Sequence, residues 1–203
     1  MILTYILMGI TGLISYYGLN NPDLISRLSH HPYDENKNGH YYRLLSSGFV
    51  HGSMGHLLIN MFVLYQFGGY IEQYFLLKFG NGTGIMAYLL FYLLAIVFAN
   101  IGSYVRHMND PSFSSIGASG VTSALVIIYC FFDPWQMFIF PPVPAVIFAV
   151  LYIGYSHWAS YQGKDNIDHQ GHLWGAIFGL AFVIMFDKPL LNHFLSEIAT
   201  LPF

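Results

Sequence analysis

The chain has 203 residues, 55% hydrophobic and only 8% charged, whereas an ordinary soluble domain carries roughly 25% charged residues. This balance argues against a soluble globular domain and for a protein whose solvent is a membrane. A net charge of -3 without a basic cluster argues against nucleic acid as a partner, and one cysteine, Cys130, rules out a disulfide framework.

Charge-free stretches over residues 1–22, 44–71, 79–105, 111–132 and 134–163 can each supply the roughly 20 residues of a membrane-crossing helix. The shorter run His169–Phe186 brings the expected spans to six, since helices satisfy their own backbone where water is absent. The first span is predicted at Ile2–Leu19. It lacks a basic leading segment, and no small-x-small cleavage pattern precedes Asn20, so it reads as a retained helix and not a signal peptide. Between Asn20 and Arg43 lies a polar, aromatic loop long enough to have a job of its own, with Pro22–Leu28 predicted as a short interfacial helix.

The second span is predicted from Gly55 or His56 to Leu77 and the third from Gly84 to Ser103. The turn VRHMNDPSFSS leads to the fourth, Gly117–Phe132, which Asp133 and Pro134 end. The fifth starts close to Pro142, because proline is tolerated in a first turn. The sixth covers Gly171–Phe186, with Asp187, Lys188 and Pro189 as its stop. No repeat or linker interrupts the chain, so residues 1–203 read as one domain. With a cytoplasmic N-terminus, Lys78 and Lys188 fall inside and Arg27, Lys37, Arg43, Arg106 and Lys164 outside. Counting positive charges alone would invert that topology.

Strongly polar side chains inside a span are costly, and each raises a functional question. His56 and Asn60, four residues apart, share one helix face; as interhelical glue they would contribute about 0.6 kcal/mol apiece. In SIGASGVTSAL, Ser119 opens the fourth span between Gly117 and Gly120, where a serine alone would be a cap. In HLWGAIFG, His172, Gly175 and Gly179 form one stripe. The glycines admit a second backbone, and its natural match is the small face made by Gly120 with Ser123 or Ala124. That contact would bring His172 beside Ser119, and a serine and an imidazole within about 3 Å make a nucleophile and its general base.

In an alternating path the second, fourth and sixth spans all begin at one side of the bilayer, so His56, Ser119 and His172 share a depth. His56, Asn60 and the Ser119 N–H are then candidate oxyanion donors, each typically worth about 2.7–4 kcal/mol. Asp168, one turn before His172, reads as a cap or loop residue, not as the third member of a triad. His157, Trp158 and Phe138 read as interface or lipid-facing residues. Ten histidines keep a metal-dependent enzyme or transporter open as an alternative, but no HExxH or sulfur-ligand spacing accompanies them.

These motifs resemble those of the rhomboid intramembrane serine proteases in their compact six-helix bacterial form, over nearly all of the chain. Arg43 matches the family's first-loop arginine; His51, His56 and Asn60 its histidine-rich approach to helix 2; Gly68, Gly69 and Glu72 its GGxxE segment. GASG matches the nucleophile motif at Ser119, and HLWGAIFG the base motif at His172. The resemblance implies an all-α membrane protein, a six-transmembrane-helix bundle with a membrane-associated loop between helices 1 and 2. It implies a Ser-His dyad cleaving transmembrane protein substrates near their outer ends, the lipid bilayer as surroundings, no cofactor, and Arg43 as an anchor of the first loop. It places the protein in a bacterial inner membrane, with the site opening to the periplasmic or extracellular side.

Two positions depart from the pattern. Many relatives stack an aromatic residue, four places after the nucleophile, on the catalytic histidine, and carry a glycine four places further. Here those positions hold Ser123 and Ile127, which implies that another group holds the imidazole and that the fourth and sixth helices separate slightly at depth. A catalytically inactive relative that binds transmembrane helices is the alternative.

Overall fold

The computed structural model describes residues 1–139, 141–162, 165 and 167–200; Lys164, counted above among the loop cations, lies outside them. Helix α1 (Ile2–Leu19) buries Thr4, Leu7, Thr11, Ser15 and Gly18, a stripe at three- and four-residue spacing. Its other face exposes Ile6, Leu13 and Tyr17. Small and polar groups inward with large apolar groups outward is the pattern expected where lipid surrounds the bundle.

A rod follows from Met54 to Phe79, built as α5 (Met54–Val63), a π turn over Leu64–Gly68, and α6 (Gly69–Phe79). Helix α7 (Asn81–His107) runs back against α6, where a side chain at Gly84 would strike the Phe75 carbonyl. Helices α8 (Ser119–Phe132), α9 (Ala145–Ala159) and α10 (His169–Phe186) complete the bundle. Helices α1, α7 and α10 are long and apolar enough to cross a membrane, and α8 and α9 are shorter apolar helices. The protein is thus an all-α, multi-pass membrane-spanning bundle. Among the described residues there is no sheet, only the isolated bridges His30–Ser115 and Met137–Pro144.

Helix α8 lies at the centre: every residue from Gly120 to Ile128 is buried, as expected of a helix apolar on all sides. Between α1 and α5 the chain folds into α2 (Pro22–Leu28), α3 (Pro32–Asn38) and α4 (Arg43–Ser46), then a 3₁₀ turn over Ser47–Phe49. The local sequence explains these pieces. Asn21 and His31 accept the N–H groups of Leu24 and Asp34, with Pro22 and Pro32 in the first turns. Gly39, at φ 74°, ends α3. Arg43 pairs with Asp34 at 3.1 Å, and His40 Nδ1 lies 2.7 Å from the same carboxylate oxygen. The hydrogen bonds from His40 first, then Asn38, with Arg43 adding its charge, hold Asp34 below the usual carboxylate range.

Several boundaries differ from the sequence expectations. Helix α8 begins at Ser119 and not at Gly117, because Gly117 has φ 120°, outside the helical region. Helix α9 begins at Ala145, past Pro142, because the preceding chain doubles back: Phe138 N–H donates to Val143 and Ala145 N–H to Gln136. Asp187 does end α10, but it also starts a helix the sequence reading lacked, α11 (Lys188–Ala199), by accepting the Leu190 N–H. The same buried carboxylate takes the Lys78 ammonium at 2.6 Å and the Tyr74 hydroxyl at 2.5 Å.

Candidate active site

The site is built on the contact between α8 and α10. A methyl group at Gly175 would run into the Gly120 carbonyl oxygen, and one at Gly179 would come within 2.5 Å of the Ala124 carbonyl oxygen. The two backbones touch where the glycine stripe faces Gly120 and Ala124. The approach persists to Gly179, so the separation expected from Ile127 is not found at that level; Ile127 is itself 2% exposed, packed in the core.

Ser119, His172, His56 and Asn60 line one cavity of about 930 Å³, with Tyr152 and Phe148 of α9 in its wall. Among the described residues no hydrogen bond joins Ser119 to His172. Asn60 Nδ2 donates to the His56 carbonyl at 3.0 Å, while its Oδ1 accepts Thr122 Oγ1 at 3.2 Å. Each amide nitrogen has two protons, so Asn60 keeps one to donate. The His56 ring lies over Gly117: a side chain there would meet Cε1 at 2.6 Å.

The segment leading into Ser119 is pinned by the first loop. Ser115 exchanges two backbone hydrogen bonds with His30, at 3.0 and 2.9 Å, and Gly117 N–H donates to the Ser47 carbonyl at 2.9 Å. Ala118 N–H donates to His51 Nε2 at 3.2 Å, and Ser15 Oγ lies 2.8 Å from His51 Nδ1. A ring nitrogen that accepts carries no proton, so His51 is neutral. Burial, with the neighbouring His56 adding to it, pulls His51 down to about 3. Among the described residues the Ser119 N–H has no partner, which leaves it free to serve an incoming oxygen.

Asp168 caps α10, accepting the Gly171 N–H at 2.8 Å, and both its oxygens receive Ser103 Oγ at 2.7 and 2.8 Å. That is the cap role. Glu72 accepts the N–H groups of Leu3 and Thr4 and the Thr4 hydroxyl, closing the start of α1. Gly68 and Gly69 leave room beside it: side chains there would collide with Leu64 and with Met1. Phe138 is half-buried, packing on Phe67, Tyr129 and Phe148. Trp158 is 55% exposed, as expected.

Three participants were missed. Asn100, in the last third of α7, donates to the Leu44 carbonyl and Ser47 Oγ at 2.7 and 2.9 Å; a polar residue inside a span was signal enough. Ser15 carried no more than a place on the small stripe of α1. Tyr152 stacks on His172, ring centroids 6.2 Å apart and planes at 22°. Nothing in the sequence said which aromatic would lie against His172. Among the described residues no group of three or more His, Cys, Asp or Glu side chains converges as metal ligands.

Residues 38–188 match the Rhomboid domain. The chain is 34% identical over 156 residues to RHOMBOID-like protein 12, mitochondrial, of Arabidopsis thaliana, a match covering 70% of this chain and 46% of that protein. It is 29% identical over 146 residues to the Presenilin-associated rhomboid-like protein, mitochondrial, of Homo sapiens, covering 69% and 36%. It is also 29% identical over 168 residues to Rhomboid protease GlpG of Haemophilus influenzae, covering 82% and 80%. The matches thus span less than half of the two mitochondrial relatives. Kinship runs to bacterial and mitochondrial proteins alike, not to the compact bacterial form in particular. The preponderance of mitochondrial relatives contradicts the expected bacterial inner membrane and its periplasmic or extracellular opening. What the matched domain and the sequence identities do establish is kinship: the chain belongs to the rhomboid family.

Proposed function

We propose that this chain is a single-domain, six-span intramembrane serine endopeptidase that hydrolyses peptide bonds near one end of transmembrane segments, with Ser119 as nucleophile and His172 as general base. The observation that carries the reading is that Ser119, His172, His56 and Asn60, from three helices, line one cavity. Family membership and kinship to a rhomboid protease support it.

In this reading His172 takes the Ser119 hydroxyl proton as Oγ attacks the scissile carbonyl carbon. The oxyanion that forms is received by the Ser119 N–H, His56 and Asn60. The C–N bond then breaks, His172 returns the proton to the leaving amine, and water hydrolyses the acyl-enzyme with His172 again as base. Catalytic hydrogen bonds are often long in a resting site and tighten when substrate binds, as this mechanism requires of Ser119 and His172. Its partners are transmembrane protein segments and the surrounding lipid. Substrates with helix-weakening residues near the cut are preferred, because an intact helix hides its carbonyls.

The test is cleavage of a transmembrane substrate in reconstituted membranes by the wild type and by Ser119→Ala. Loss of cleavage with insertion preserved is the expected result; retained cleavage removes Ser119 from this role. A second reading, an inactive relative that binds transmembrane helices, is favoured by the missing Ser119–His172 hydrogen bond. Modification of Ser119 by a fluorophosphonate separates the two, since a pure binder leaves the probe unreacted.

A further inference from the structure

His172 and Ser119 are linked through a chain of contacts outside any direct bond between them. The Tyr152 ring lies nearly parallel to the His172 imidazole at 6.2 Å. The Tyr152 hydroxyl is 2.5 Å from Ser123 Oγ, and Ser123 Oγ is 2.6 Å from the carbonyl oxygen of Ser119. A carbonyl only accepts, so Ser123 donates its single proton there, and the Tyr152 hydroxyl must donate to Ser123. The relay therefore runs one way, from Tyr152 through Ser123 to the Ser119 main chain.

The ring is itself held. Phe148, one turn earlier on α9, stacks on Tyr152 at 5.6 Å with planes at 15°, and Phe138 packs on Phe148 at 5.1 Å. His172 makes no side-chain hydrogen bond among the described residues, and the other ring against it, His169, meets it edge-on at 5.9 Å. The flat face that sets the imidazole plane is Tyr152.

We infer that Tyr152 is a positioning residue: through its ring it orients His172, and through Ser123 it ties that orientation to the start of α8, where Ser119 sits. The inference rests on the reading of Ser119 and His172 as nucleophile and base. A base held on α10 and a nucleophile held on α8 are thereby brought into register by a third helix, α9.

The experiment uses the full chain in proteoliposomes, with a cleavable transmembrane substrate and, separately, a fluorophosphonate that needs no substrate groove. Tyr152→Leu is expected to lower kcat about 10- to 100-fold, the scale of a misplaced reacting group, with KM within about twofold. The rate of Ser119 modification falls by the same factor. Tyr152→Phe keeps the stack and breaks the relay, as does Ser123→Ala, so each lowers kcat about two- to fivefold. The double variant loses no more than the larger single loss, because both changes break one interaction.

A raised KM with kcat and labelling unchanged in Tyr152→Leu would make Tyr152 a substrate contact and overturn the inference. Additive losses in the Phe and Ala pair would overturn the relay, and this pair decides the matter even if Tyr152→Leu fails to fold. A wild type that neither cleaves nor labels removes the protease reading and the inference with it. Wild-type labelling rates in Tyr152→Leu remove the inference alone.

Discussion

His51 accepts the main-chain N–H of Ala118 at 3.2 Å, one residue before Ser119. With Ser15 on its other nitrogen, the imidazole clamps the approach to Ser119 between α1 and α8. His51→Ala leaves a buried N–H without a partner, a loss of about 1–3 kcal/mol. It should lower the melting temperature and the cleavage rate together. Ser15→Ala removes the contacts of its hydroxyl with His51 Nδ1 and the Phe49 carbonyl but leaves the Ala118 N–H paired, and should lower the cleavage rate less. Thermal unfolding and initial rates of the two variants in detergent check the order.

The burial of His51 gives stability a pH dependence. Burial lowers the folded pKa of His51 from 6.5 to about 3, so between those values the unfolded chain takes up a proton that the folded chain refuses. The contribution is fully present above pH 6.5 and is lost as pH falls toward 3, by at most about 1.4 kcal/mol per pH unit. Unfolding curves at stepped pH should show this slope in the wild type and a flatter one in His51→Gln.

Gly175 and Gly154 make a matched pair. A methyl at Gly175 meets the Gly120 carbonyl, whereas one at Gly154 meets nothing within 4 Å. Gly175→Ala should destabilise by about 1–3 kcal/mol, as overpacking does, and should also depress activity by parting α8 from α10. Gly154→Ala should be neutral or stabilise by up to about 1 kcal/mol through helix propensity. Melting temperatures measured side by side test both.

Much of this was legible beforehand. The four polar site residues stand out because each costs free energy inside a span, and the α8–α10 contact follows from glycines repeated on one helical stripe. Positions such as Tyr152 and Ser15 were not legible, because an aromatic or a serine on an apolar helix is usual and only the neighbouring helix gives it a partner. Helix α11 was hidden by Asp187, Lys188 and Pro189, which read equally as the end of one helix and the start of another; Asp187 is both.

Asp187 carries its own consequence. It is 2% exposed and serves Lys78, Tyr74 and the cap of α11. Asp187→Ala leaves a cation that is 25% exposed without its partner and should cost about 3 kcal/mol, the lower range for breaking a buried pair. Differential scanning measurements on the purified variant give the number, and a loss below about 0.5 kcal/mol would show the cluster to be idle.

The most direct measurement is the intact mass and peptide map of the membrane-embedded chain after exposure to a fluorophosphonate. The account predicts one adduct, on Ser119, in the wild type and none in Ser119→Ala or His172→Ala. An unreacted Ser119 in folded wild-type chain, or an adduct that forms equally well without His172, would contradict it.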